Sequence, residues 1–252
     1  MTTDHVEART EAGVSTLRLV RPDKKNALLP AMYAALVGHI VAGEANPAVG
    51  AHVFLGSGGV FTAGNDIRDF AARAMSGGSV LEGPVLDFLR LLPRIEKPMI
   101  AAVDGLAIGI GTTLLMHCDL VYATPTARLQ TPFLDLGLVP EAGSSLLGPK
   151  IMGHQRAFEM LVLGEAFSAE RAREAGLVNA VVAADVLEAT AIAAAQRLAA
   201  KPRQALIASR RLMRGDTAAL SAAIEAEATL FAERLGSAEA KAAFAAFFSR
   251  KA

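Results

Sequence analysis

Apolar residues fall into two regimes along this chain. Through the first half, short β-branched runs alternate with turns and with stretches of helical spacing. VSTLRLV (14–20), AHVFLGS (51–57), KPMIAAVDG (97–105), DLVYAT (119–124) and ARLQT (127–131) read as strands. Met32, Leu36 and Ile40 recur four residues apart and predict a helix over 31–43, and PVLDFLRLL (84–92) predicts another. GIGTTLLMHC (109–118) carries no Asp, Glu, Lys or Arg and predicts a buried helix. From about residue 154 helical spacing takes over: HQRAFEMLVLG, then SAERAREAG, with Ser168 as N-cap and Gly176 as stop. After one further strand, LVNAVV, Ala-rich helices are expected at 184–200, 203–214, 217–235 and 238–248. Their apolar residues cover more than one face. The fold class expected is α/β, built from repeated strand-strand-helix units, with a core over 1–199 and a helical region over 200–252.

Charge narrows the partners. Lys plus Arg and Asp plus Glu both number 25 in 252 residues, so no basic field exists to hold nucleic acid. MTTDHVEART lacks an apolar signal region and no apolar span of about 18 residues occurs, so neither secretion nor a membrane span is expected. The single cysteine, Cys118, permits no intramolecular disulfide and fits a reducing cytoplasm. Mean hydropathy is nonetheless +0.37, which implies apolar surface shared between subunits and therefore a homo-oligomer.

Candidate chemistry sits in three places. GSGGVFTAGNDIRDF (56–70) and DGLAIGIGTTLLM (104–116) each place small residues between a strand and a helix, where backbone amides can approach a ligand oxygen. LDLGLVPEAGSS (134–145) holds Glu141 among apolar and small residues; it reads either as a helix-capping carboxylate or as a base against a substrate. Gly109-Ile110-Gly111 opens a GxGxxG pattern, but Leu114 occupies its third glycine position, against a dinucleotide site. No GxSxG occurs, and His5, His39, His52, His117 and His154 lack ligand spacing, so no metal is expected.

FTAGNDI (61–67), KPMIAAVDGLAIGIG (97–111), CDLVYATPTARLQTPFLDLGLVPEAGSS (118–145) and GEAFSAERAREAGLVNAVV (164–182) together resemble the crotonase superfamily, in order and spacing over nearly the whole chain. The resemblance implies a spiral of ββα units with a C-terminal helical trimerisation region, a trimer or a dimer of trimers, and acyl-CoA thioester substrates without a separate cofactor. It also implies an oxyanion hole of two backbone amides, which map to Ala63 and Ile110.

The hydratase branch of that superfamily uses two glutamates, and Thr113 and Phe133 stand at their positions here. Classical hydration is therefore disfavoured, because water would lack acid-base assistance. TPFLDLGLVPEAGSS is instead similar to the Δ3,Δ2-enoyl-CoA isomerase branch, whose catalytic glutamate maps to Glu141. That implies a single-base double-bond shift, in β-oxidation of unsaturated acyl chains. The same resemblance assigns substrate and CoA contacts to Lys24, Lys25, Ala27, Asn65, Asp66, Ile67, Gly111, Pro132, Lys241 and Phe244, with Arg250 and Lys251 near the last of these. Enoyl-CoA hydration by Glu141 alone, and a non-catalytic acyl-CoA-binding scaffold, are the alternatives. A Clp-type serine peptidase shares the ββα spiral, but its catalytic spacing is not matched by Ser144 or Ser145 with His117 or His154.

Overall fold

The computed structural model describes residues 2–3, 5–75 and 83–249. Its strands are β1 (Thr2–Thr3), β2 (Val6–Glu11), β3 (Val14–Leu19), β4 (Ala51–Leu55), β5 (Met99–Val103), β6 (Leu106–Ile108), β7 (Leu120–Ala123), β8 (Arg128–Gln130), β9 (Phe167–Ser168) and β10 (Ala180–Val181). Its helices begin with α1 (Pro30–Ala45), α2 (Ile67–Met75), α3 (Pro84–Leu91), α4 (Ile110–Thr113) and α5 (Ser144–Met152). They continue with α6 (His154–Leu161), α7 (Ala169–Glu174), α8 (Ala184–Ala199), α9 (Arg203–Arg214), α10 (Thr217–Leu235) and α11 (Ala238–Ser249).

Seven strands make one sheet in the order β1-β2-β3-β4-β5-β7-β10, and β6, β8 and β9 make a second. From β3 to β10 the neighbours in the large sheet run parallel. β4 and β5 are buried at every position, the property of central parallel strands covered on both faces. Alternate residues serve the two faces. Ala51, Val53, Leu55, Ile100 and Ala102 pack on Leu187, Ala191 and Ala195 of α8. Phe54, Met99, Ala101 and Val103 join the main core with Met32, Leu36 and Ile40 of α1.

The C-terminal helices share that main core. Leu220, Ile224, Ala228 and Phe231 of α10 and Ala240 and Phe244 of α11 belong to it. Helix α9 differs: Arg210 is its only buried residue, and Leu212 and Met213 are 84% and 88% exposed.

Several elements depart from the expected pattern. β2 shows no apolar alternation because only Val6 is buried; the strand exists by pairing antiparallel with β3, Val6 opposite Leu19. The expected helix over 109–118 is one turn of α-helix followed by a 3-10 turn, Leu114–His117. LVNAVV contributes only two strand residues, since the Asn179 side chain itself accepts the Val121 N–H at 2.7 Å. Ser168 caps α7 by accepting the Arg171 N–H at 3.2 Å, as its position predicts. Part of the Gly-rich stretch after α2, residues 76–82, lies outside the described residues, as do Arg250 and Lys251.

Candidate active site

The site lies where the turn after β4 meets the start of α4. Thr62 pairs with β6, donating its N–H to Leu106 at 2.9 Å and accepting the Ile108 N–H at 3.0 Å. Gly64 has φ +82°, and a β-carbon there would stand 2.7 Å from the Ile108 carbonyl oxygen. Only glycine combines that conformation with that approach. On the other side, a β-carbon on Gly111 would stand 2.5 Å from the Thr62 methyl, so α4 rests directly on the turn. Asn26, fully buried, donates to the carbonyls of Ser57 and Val60 at 2.9 and 2.7 Å and fixes the loop beneath.

The amides of this junction differ in availability. The N–H of Ala63 donates to the Lys25 carbonyl at 2.9 Å, so it is already engaged and does not fit the oxyanion role expected for it. In the same turn Leu28 donates to Gly64 and Asp66 donates to Leu28, both near 2.8–2.9 Å, which leaves the Asn65 N–H between them without an acceptor among the described residues. At α4 the Gly109 carbonyl takes the Thr112 and Thr113 amides at 2.8 and 3.0 Å. Ile110, first residue of the helix, keeps an N–H without an acceptor among the described residues. Among the described residues the amides of Asn65, Ile110 and Gly111 are thus left without an acceptor at the contact between turn and helix, Asn65 on the turn and the other two on α4.

Glu141 is 5% exposed, and its Oε1 accepts the Thr113 hydroxyl at 2.5 Å. Thr113 stands about one helical turn after Ile110, at the other end of the same short helix. Burial pushes the Glu141 pKa up to about 8; the Thr113 hydrogen bond opposes the rise and the nearby Glu227 carboxylate adds to it. Glu141 is not the cap of the following helix. That task falls to Glu227 of α10, which accepts the Gly143 and Ser145 amides at 2.6 and 2.9 Å and the Ser145 hydroxyl at 2.5 Å. Tyr33, also buried, donates its phenol to Asn65 Oδ1 at 2.6 Å. Burial, then the Glu141 charge, hold its pKa well above the usual phenol value. A small cleft beside Asn65 is lined by Leu28, Pro30, Tyr33, Phe70 and Val85 together with Asp66 and Asp69.

The other residues expected at the site distribute unevenly. Gly111, Asn65 and Ile67 belong to the junction itself, and Pro132 is half-buried in the loop leading toward Glu141. Lys24 and Lys25 are exposed, Lys25 in the left-handed region at φ +52°. Ala27 is buried and its carbonyl accepts from Arg21 at 2.9 Å. Asp66 pairs with Arg21 at 2.8 Å and accepts the Arg68 amide at 3.1 Å. Burial resists ionisation there, but those partners outweigh it and hold the carboxyl below its usual range. Asp66 thus caps and pairs within the turn, and it also lines the cleft beside Asn65. Phe244 is also corrected: it is 5% exposed and tilted against Phe70, 6.2 Å between ring centres, so it fills the core of its own chain. Lys241 remains exposed. Sequence reading missed Thr113 as a partner of Glu141, and Asn26, Tyr33, His117 and Glu227 as supports. None of these left a readable sign: Glu227 is one of three glutamates in the 217–235 segment, with Glu225 and Glu233.

Residues 9–252 match the family model described as enoyl-CoA hydratase/isomerase. The protein named "Probable enoyl-CoA hydratase" of Rhizobium meliloti is 33% identical over 96% of this chain and 94% of its own length. Enoyl-CoA delta isomerase 2 of Rattus norvegicus is 34% identical over 96% of this chain and 63% of its own. The solved structure of Pseudomonas aeruginosa OdaA superposes with a TM-score of 0.91 at 44% identity, covering 97% of this chain and 98% of that one. With its parallel sheet, its junction of free amides and this match along nearly its entire length, the chain belongs to the enoyl-CoA hydratase/isomerase family, that is, to the crotonase-fold enzymes of acyl-CoA thioesters.

Proposed function

We propose that this enzyme shifts the double bond of a 3-enoyl-CoA to the 2-position with Glu141 as its only acid-base group. The observation that carries the reading is the Thr113–Glu141 pair: where a second carboxylate would be needed to handle water, the buried glutamate meets a hydroxyl instead. The thioester oxygen sits between the Asn65 and Ile110 amides, Asn65 replacing Ala63 in that role. Glu141, ionised, takes a proton from C2, and the C–H electron pair moves onto the thioester oxygen to give a dienolate. Each preorganised amide stabilises that charge by about 3 kcal/mol. The protonated Glu141 then delivers the same proton to C4 as the pair returns to form the C2–C3 double bond. A 1,3-proton shift exchanges no electrons with an outside partner and so calls for no redox group or metal.

Lys24, Lys25 and Lys241 are among the exposed cations available to the CoA phosphates. The bare outer face of α9, with Leu212 and Met213 in water, supports assembly into a homo-oligomer, a trimer or a dimer of trimers. A cytoplasmic location fits the single thiol, Cys118, which burial makes less acidic than usual.

The experiment is turnover of 3-hexenoyl-CoA beside hydration of crotonyl-CoA, for wild type and Glu141→Gln. Isomerisation should fall by at least about 10²-fold in the variant, with hydration negligible in both. Fast hydration untouched by the substitution would overturn the assignment.

A further inference from the structure

Glu141 precedes a turn that an ordinary chain avoids. Ala142 has φ +61° and Gly143 φ +71°, two left-handed residues in succession, and Ala142 is not a glycine. A β-carbon makes that conformation unfavourable, so neighbouring contacts must hold it. Two contacts do so, from opposite sides. His117 Nε2 lies 2.6 Å from the Ala142 carbonyl oxygen, which only accepts, so Nε2 carries the proton. Its Nδ1 is buried without a partner among the described residues. Glu227 accepts the Gly143 and Ser145 amides and the Ser145 hydroxyl.

These anchors are arranged around the carboxylate. Thr113 and His117 are four residues apart on one continuous helical stretch, so one face holds the Glu141 side chain and the next peptide together. Glu227 reaches in from α10 and closes the other side. The charged and titratable groups facing the cluster are Glu227 and Tyr33 around Glu141, and Arg210 and Arg214 around His117. Burial, with those two arginines, pushes the His117 pKa down to about 4 against the pull of the Ala142 carbonyl, so the ring stays neutral while it donates.

We propose that His117 and Glu227 are positioning residues that clamp the Ala142–Ser145 turn and so hold the Glu141 carboxylate against Thr113 and toward the substrate. The inference rests on Glu141 being the base. A histidine that hydrogen-bonds a strained peptide beside the reacting carboxylate acts on its orientation, which affects the chemical step more than the affinity for the thioester.

The test compares His117→Met with His117→Gln, two side chains of similar reach of which only Gln has an N–H near the site of Nε2. Glu227→Gln and Glu141→Gln are measured alongside. For 3-hexenoyl-CoA, kcat should fall between about tenfold and about a hundredfold in His117→Met with KM within about twofold, and His117→Gln should restore most of it. Glu227→Gln should lower kcat and speed hydrogen exchange at the Gly143 or Ser145 amide. In the wild type, ¹⁵N spectra of the ring should show a neutral Nε2–H tautomer unchanged from pH 8 to pH 5; neither this nor the exchange measurement requires turnover. A His117→Met enzyme as fast as wild type, a Gln variant as slow as Met, unaltered exchange in Glu227→Gln, or a ring that titrates in that range would overturn the clamp. Turnover that survives Glu141→Gln would overturn the base assignment on its own, whereas loss in Glu141→Gln with full activity in His117→Met would remove only the clamp.

Discussion

Glu141 is held in a condition that suits its chemistry and opposes folding. A carboxyl with pKa near 8 keeps its proton in the folded chain, whereas the unfolded chain loses it near 4.5. Between those values the folded state binds more protons, so stability falls as pH rises through that window. Glu141→Gln should therefore melt higher than wild type, with a gain that grows from pH 5 to pH 8 and reaches a few kcal/mol. Calorimetry across that range checks it; a constant difference would deny the shift. Activity runs the other way, since the base must be ionised: kcat for isomerisation should climb with pH and level off above about 8. Thr113→Val removes the bond that lowers the Glu141 pKa, and should move that limb upward by about one to two units in a kcat–pH profile. Much of this was legible in the sequence, because an acidic residue in a run of apolar and small residues is conspicuous. The identity of its donor was not: Thr113 lies 28 residues earlier and meets Glu141 only in the folded chain. The choice between Ala63 and Asn65 likewise turns on which amide the Lys25 carbonyl has already taken, a contact 38 residues apart in sequence.

At the scale of elements, α5 depends on α10. The first amides of a helix need acceptors, and here a glutamate from 82 residues further along supplies them. Glu227→Ala leaves the buried Gly143 amide unpaired and returns the Ser145 amide to water, which should cost about 1–3 kcal/mol in chemical denaturation. Glu227→Gln retains one acceptor and should lose less. The sequence anticipated α1, α3, α8, α9, α10 and α11 closely because apolar residues recur at helical spacing through each of them. It did not reveal β2, whose only buried side chain is Val6, nor the shortness of β10, whose ladder is completed by a side chain. In both cases the pairing partner, rather than the strand's own pattern, creates the element.

For the molecule as a whole, the proposed homo-oligomer would use the exposed apolar face of α9. Leu212→Glu with Met213→Glu should lower the mass measured by light scattering toward that of one chain, leaving the circular dichroism spectrum unchanged. An unaltered mass would place the contact elsewhere. The boundary expected at residue 200 tracks composition rather than independence, because α10 and α11 close the same core as the sheet.

The reach of Glu227 into the turn after Glu141 has a practical meaning for anyone recombining members of this fold. A hybrid joining the first 199 residues of this chain to the tail of a relative would inherit its base but not the acid that seats it. Unless the donor tail brought a carboxylate at the corresponding turn of its long helix, the two halves could each be sound and the hybrid still inactive. On the proposed clamp, a hybrid keeps its activity only if both halves descend together.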